Sequence, residues 1–523
     1  MSEEHKSSGK SRIAIWLLAA GFSILLIALM LTIGGTPPEF PRAYAWQKSW
    51  WFARGIFAIV TVLPFYVLAR LAVSSARSRA VRVIYMAAMP AVGAFGIVFK
   101  SYEYSLAMII CQMLIICGLY VLIRVGAGAG RLRYALTVAA SLGVSFIVNY
   151  AIAPYVHMAK PKDYFGPEMP ADIRQQLEFF YWVWDDDARM KAAHAAMRKQ
   201  NPEWDMISRT FFAYSLANVA LKYPAEKERA LKYLDKVIDN TVRVPWQDFL
   251  LDYGTNMALF VKQPPSSVMV DGEVSLMIGL RRLVRDEPDY PHKELHRKLV
   301  NQCLDSMKAG PMLCGECYPD ECWLWCNPLA LTSAKVLDVL EGSDNTEFYE
   351  RWEKMALAKL TDKKTGMLQS AVTLTGYPIH TSEGSTIWIG ASCLLPVLPD
   401  LAHEQYNLMK EKLSGRLLFL AYGREWPKGE RGDWDIDSGF TPFGMGPAST
   451  GFALVASKEM GDEDFFVRLL TLLNLVGVPQ VENGRMRYLS SNLVGDATFL
   501  YGKTAGPAWQ EIIRRDKERR AKK

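Results

Sequence analysis

The sequence predicts an all-α protein in two parts: a bundle of about five transmembrane helices over residues 1–156, then a helical toroid over residues 160–511, with residues 512–523 left as a basic tail. Three observations carry this. Composition changes abruptly near residue 157, five long apolar runs precede that point, and apolar residues at three- and four-residue spacing follow it with little strand-type alternation.

The five runs begin at Ile13, Gly55, Val83, Ser105 and Tyr134, and each approaches the ~20 residues that a bilayer-crossing helix needs. The second is the shortest, and Trp50, Trp51 and Phe52 extend it. The first lacks a small-residue cleavage site and is followed by further runs, so it reads as a retained span rather than a signal peptide. Lys6, Lys10 and Arg12, the group Arg70, Arg77, Arg79 and Arg82, and the group Arg124, Arg131 and Arg133 fall on one side; Arg42, Lys48, Arg54 and Lys100 fall on the other. By the positive-inside rule the N-terminus is cytoplasmic, and five spans deliver the C-terminal domain to the periplasmic side of a bacterial inner membrane. The lipid bilayer is thus an expected partner. The net charge of +6 is partly used in the cytoplasmic loops and gives no ground for a nucleic-acid surface.

From Ala171 to Glu511 helical patterns such as "ISRTFFAYSLANVALKY", "GEVSLMIGLRRLVRD", "NPLALTSAKVLDVLEG", "HEQYNLMKEKLSGRLLFLAYG" and "STGFALVASKEMGDEDFFVRLLTLL" are joined by Gly, Pro and Asp breaks. Plain turns alternate with long aromatic and acidic stretches: "VPWQDFLLDYG", "CGECYPDECWLWCN", "LTGYPIHTSEGST" and "EWPKGERGDWDIDSGFTPFGMGPAST". That alternation suits an (α/α) barrel with a pocket at one end, lined by every second loop.

The segment Cys314–Asn327 holds four cysteines in fourteen residues. Four thiolates could bind zinc, although the second pair is spaced by three residues and flanked by Trp323 and Trp325, unlike a zinc ribbon. A disulfide on the oxidising side of a membrane, such as Cys314 or Cys322 with Cys303, is a second reading. Catalytic chemistry is the third.

The pattern Cys317, Pro319, Asp320, Trp323, Cys326, Asn327 resembles the cysteine segment of the linalool dehydratase/isomerase family. "DGEVSLMIGL" at Asp271, "DIDSG" at Asp435, "FALVASKEMGD" at Phe452 and "RYLSSNLVGDATFLYGK" at Arg487 are similar to family segments and follow in order, so the resemblance covers most of residues 171–511. It is similar in particular to membrane-anchored linalool isomerases. The resemblance implies an (α/α)6 barrel, a site without metal or organic cofactor, and allylic hydroxyl transposition between linalool and geraniol, with or without dehydration to myrcene. It implies Cys317 and Cys326 as active-site cysteines, Met269 and Tyr214 in the pocket, and a helix-borne catalytic aspartate at Asp185. It also implies a monoterpene alcohol as substrate and assembly as a homo-oligomer. Where the family has a pocket histidine this chain has Glu273, and where it has a second pocket tyrosine this chain has Gly384, so the acid/base network differs.

Moving an allylic hydroxyl requires protonating a poor leaving group and surviving positive charge. Glu273, the preferred acid, or Asp185, sunk among Phe179, Phe180, Trp182 and Trp184, would hold a proton near neutral pH. Cys317 and Cys326 serve as proton carriers or as a nucleophile that forms a thioether. Trp323, Trp325 and Trp388 offer aromatic faces to a cation. Asp435 and Asp437 are expected in helix capping and loop hydrogen bonding. Two other readings stay open: a carbohydrate-active enzyme using Asp435 and Glu273, and a non-enzymatic lipid- or partner-binding module.

Overall fold

The computed structural model describes residues 158–522 except 431, 433, 434, 440, 442, 443 and 478. The chain divides into two units, residues 1–157 and 158–523. The five expected spans lie outside the described residues, and among the described residues no helix is long and apolar enough to cross a membrane.

The helices are α1 (Pro161–Phe165), α2 (Ala171–Asp185), α3 (Asp187–Gln200), α4 (Pro202–Lys222), α5 (Lys227–Thr241), α6 (Val268–Val284), α7 (Lys293–Ala309) and α8 (Cys326–Glu341). They continue as α9 (Thr346–Met355), α10 (Gly384–Leu394), α11 (Pro399–Lys412), α12 (Pro447–Glu459), α13 (Glu463–Gly477), α14 (Leu493–Thr504) and α15 (Pro507–Ala521). The even-numbered helices from α4 to α14 form a closed ring: α4 packs on α6, α6 on α8, α8 on α10, α10 on α12, α12 on α14, and α14 back on α4. The other helices wrap this ring, α5 against α4, α7 against α6 and α8, α11 against α10, α13 against α12. The described unit is therefore an (α/α)6 barrel.

Residue patterns explain the two layers. All 17 residues of α6 are buried, as a helix enclosed on every side requires, whereas α5 and α7 bury one face and leave the other in water. Helix starts are set by local chemistry: the side chain of Asn201 accepts from the Glu203 N–H at 2.9 Å ahead of Pro202, and Asn492 accepts from the Gly495 N–H at 2.9 Å. Gly342 ends α8 in the left-handed region at φ 80°.

Short turns follow the ring helices, at residues 223–226, 342–345, 395–398 and 460–462; long connections precede five of them, at 242–267, 310–325, 361–383, 413–446 and 478–492. The N-terminal ends of the ring helices and these connections make one end of the barrel, the mouth. Three small antiparallel sheets stiffen it: β1 (Cys322–Trp323), β2 (Ala371–Val372) and β3 (Pro378–His380) in one, β4 (Ser414–Leu417) with β5 (Leu420–Gly423), and β6 (Pro479–Glu482) with β7 (Arg485–Tyr488).

Three expectations are corrected. The pattern "HEQYNLMKEKLSGRLLFLAYG" is helical only through Lys412, and its second half is the β4–β5 hairpin. "STGFALVASKEMGDEDFFVRLLTLL" is two helices, broken at Gly461 with φ +72°. The basic tail is the second half of α15, which packs on the ring: Ile512 is buried, Arg515 donates to the Leu283 carbonyl at 2.8 Å, and Asp516 pairs with buried Lys335 at 2.6 Å.

Candidate active site

The segment with four cysteines is the connection from α7 to α8, at the mouth, and its backbone is pinned from several sides. The Glu316 carboxylate accepts three backbone N–H bonds of 2.9 Å, from Val261 and Lys262 of the α5–α6 connection and from Asp320 of its own loop. Asp320 takes a left-handed backbone, φ 56°, and its side chain accepts from Leu374 N at 3.1 Å near the β2–β3 hairpin. Asn327, in the first turn of α8, accepts from Gly315 N at 2.8 Å and donates to Trp323 O at 3.0 Å, with Nδ2 lying 3.8 Å from Cys317 Sγ. Gly390 on α10 lets the loop pass close, since a Cβ there would stand 2.0 Å from the Leu324 carbonyl oxygen.

This scaffolding brings Cys317 and Cys326 side by side. Cys326 is buried, and burial pushes its thiol well above the ordinary range, reinforced by a hydrogen bond with Cys317 and by the negative charges of Glu273 and Glu203. Cys303, Cys314, Cys322 and Cys393 are also free and buried, and burial pushes the Cys314 thiol up to about 12. The disulfide reading of Cys314 or Cys322 with Cys303 therefore does not hold in this structure. Among the described residues no group of three or more His, Cys, Asp or Glu is arranged to hold a metal ion.

Glu273, one turn into α6, is fully buried. Tyr214 of α4 donates its hydroxyl to Glu273 Oε2 at 2.5 Å, and Trp325 donates its indole N–H to Oε1 at 3.0 Å. Burial raises the Glu273 pKa, opposed by these donors and by Thr210. Trp325 stacks on Phe211 at 5.9 Å and meets Phe452 edge-on at 4.9 Å, so the carboxyl stands against an aromatic wall. Met269, one turn before Glu273 on the same helix, is buried.

Two expected site residues stand elsewhere. Trp388 is fully buried, but its ring packs against Tyr406 of α11 and Phe465 of α13, the outer layer, and its N–H donates to Ser449 Oγ at 3.2 Å. Asp185 ends α2 exposed to solvent, where it accepts the Tyr233 hydroxyl at 2.5 Å, instead of lying among Phe179, Phe180 and Trp184, which are buried. Trp323 is half-buried at the mouth, its N–H donating to Glu321 at 2.8 Å and its ring 5.1 Å from His380. Gly384 begins α10 pressed against the Arg424 carbonyl oxygen, 2.2 Å from a built Cβ, so no tyrosine fits this backbone. Asp435 is exposed, and its Oδ1 accepts from the N–H groups of Asp437 and Ser438 at 3.0 and 2.7 Å, the expected loop role.

Sequence reasoning missed Glu203 and the pairing of Trp325 with Glu273. Glu203, in the first turn of α4, accepts the hydroxyl of Tyr318, the residue after Cys317. Burial and the charges of Asp437, Asp435 and Glu321 raise it to about 8, against the Tyr318 donor. Its position after a helix-starting proline reads as an ordinary first-turn acid.

Among solved structures the chain is similar to a GH76 alpha-mannanase of Bacteroides thetaiotaomicron, with 10% identity and a TM-score of 0.39 over 59% of this chain and 87% of that one. It is also similar to a family 105 glycoside hydrolase of C. acetobutylicum, with 15% identity and a TM-score of 0.37 over 58% and 93%. The linalool dehydratase/isomerase family model matches residues 273–493, which run from the buried glutamate through both cysteines to the start of α14. Over those residues the chain is similar to the linalool dehydratase/isomerase family.

Proposed function

We propose that this protein is an isomerase that moves a hydroxyl between the tertiary and primary ends of an allylic alcohol, interconverting linalool and geraniol, with dehydration to myrcene as a side reaction. The observation that carries the reading is the buried thiol pair Cys317 and Cys326 beside Glu273, against the aromatic wall of Trp325, Phe211 and Phe452. The five apolar runs support a membrane-anchored enzyme with this domain on the periplasmic side of a bacterial inner membrane.

The chemistry follows from the environment. A carboxyl whose burial favours its neutral form keeps a proton to give, and Tyr214 and Trp325 stabilise the carboxylate left when it has been given. Proton transfer to the hydroxyl oxygen lets the C–O bond break, releasing water and leaving an allylic cation. Aromatic faces stabilise such a cation by about 1 to 2 kcal/mol each when water is excluded. Addition of water at the far allylic carbon and loss of its extra proton complete the transposition. The thiols pass that proton, or one of them traps the allyl group as a thioether that water then cleaves.

The reading is tested with membranes carrying the full chain, incubated anoxically with dithiothreitol and linalool and analysed by gas chromatography. Geraniol that vanishes in a Cys326→Ala control supports it. Absence of both geraniol and myrcene from folded protein overturns it. A mass increase of one C10 unit on denatured enzyme identifies the thioether route.

A further inference from the structure

The cysteine loop carries two aromatic residues that each hold a carboxyl. Tyr318 follows Cys317 and donates its hydroxyl to Glu203; Trp325 precedes Cys326 and donates its N–H to Glu273 at 3.0 Å. Between these two arms the thiols of Cys317 and Cys326 are hydrogen-bonded to each other. Two carboxyls thus act on the thiol pair, Glu273 from α6 and Glu203 from α4, and the charge of each raises the Cys326 thiol. Tyr318 is itself fixed: its hydroxyl accepts from Leu251 N at 3.1 Å, and its ring stacks on Tyr253 at 4.7 Å.

Resting on the isomerase reading, we propose that Glu203 is the second proton-transfer residue of this site, taking the proton of the incoming water while Glu273 supplies the proton that leaves with the hydroxyl. In the linalool-to-geraniol direction the acid form of Glu273 protonates the tertiary hydroxyl, and the C–O bond breaks to release water. Water adds at the primary carbon, and its extra proton passes to the Glu203 carboxylate. The proton returns to Glu273 through the thiols, so nothing is oxidised or reduced and the enzyme is restored. In the reverse direction the roles exchange. Two groups answer a need that one carboxyl does not, because the oxygen leaves from one carbon and returns at another, so a proton is given at one end of the allylic system and taken up at the other.

The groups facing Glu203 set its titration. Tyr318 and Glu321 come from the cysteine loop, Tyr253 from the α5–α6 connection, Asp435 and Asp437 from the α11–α12 connection, and Cys326 from α8. Asp437 is held by the Trp204 N–H at 2.6 Å and by Asn201 Nδ2 at 3.0 Å, and is itself raised to about 6 by burial. Burial first and then the acidic neighbours raise Glu203, and the Tyr318 donor lowers it, leaving it at about 8.

The experiment measures initial rates of geraniol formation from linalool between pH 6 and 9, using membranes carrying the full chain as wild type, Glu203→Gln, Glu203→Asp and Tyr318→Phe. The wild-type rate is expected to climb as pH rises towards about 8, where Glu203 loses its proton. Glu203→Gln should lower kcat about 100-fold with KM nearly unchanged, and Glu203→Asp should recover part of it. Tyr318→Phe removes a donor that favours the carboxylate, so its climb should move to higher pH, a shift that a packing defect alone would not give. An active wild type with Glu203→Gln at full rate, or with an unmoved profile in Tyr318→Phe, overturns the role of Glu203 and leaves the isomerase reading standing. A folded but inactive wild type overturns both.

Discussion

The Tyr214 hydroxyl reaches Glu273 Oε2 at 2.5 Å across neighbouring ring helices α4 and α6. This contact favours the carboxylate against a burial that favours the acid. Tyr214→Phe should therefore raise the Glu273 pKa further and slow turnover about 10- to 100-fold. The check is kcat for geraniol formation across pH, paired with a thermal melt showing that the ring is intact.

Asn327 gives one side chain to three parts of the cysteine loop, at Gly315, Trp323 and Cys317. Asn327→Ala would leave buried backbone groups without partners, at a cost of about 1–3 kcal/mol. The expected outcome is a lower Tm together with loss of activity, while Asn327→Asp, which keeps the acceptor for Gly315 N, should retain more stability than alanine.

Gly390 is where α10 lets the loop backbone by. A methyl group placed 2.0 Å from the Leu324 carbonyl has nowhere to go without moving Leu324 and Trp325. Gly390→Ala should destabilise by about 1–3 kcal/mol and should pull the indole of Trp325 off Glu273. Tryptophan fluorescence and chemical denaturation measure both effects.

Glu459, near the far end of α12, is buried and accepts the Tyr501 hydroxyl at 2.7 Å. Burial raises it to about 7, above its unfolded value. The folded state therefore keeps a proton that the unfolded chain has released, so the favourable contribution is full below the unfolded pKa and is lost as pH rises through about 7. Glu459→Gln cannot ionise, so its Tm should gain on the wild type as pH goes from 5 to 8.5. An unchanged Tm difference over that range would refute the linkage.

Helix period, the turn and loop alternation and the cysteine loop were legible because each is written in local order: Val274 to Leu280 is an unbroken run of apolar and small residues, as an enclosed helix favours, and four cysteines in one segment stand out. Which face a residue turns was not legible. Trp388 and Trp325 look alike in sequence, but one points to the outer layer and the other to Glu273. Asp185 sits next to buried aromatics in sequence and is exposed because the helix ends there. Glu203 acquires its partners from Tyr318 and Asp437, residues 115 and 234 positions further along the chain, and no spacing rule links them.

The hold of Glu316 on Val261 and Lys262 makes two mouth loops a single mechanical part. Neither can be exchanged alone, since a foreign cysteine loop would leave two backbone donors of its neighbour unmet, and a foreign neighbour would leave a buried carboxylate with only the Asp320 N–H of its own loop. Retargeting this barrel to another alcohol is thus a problem of grafting residues 250–268 and 310–327 as one cassette. A library that diversifies either loop by itself should be dominated by misfolded members.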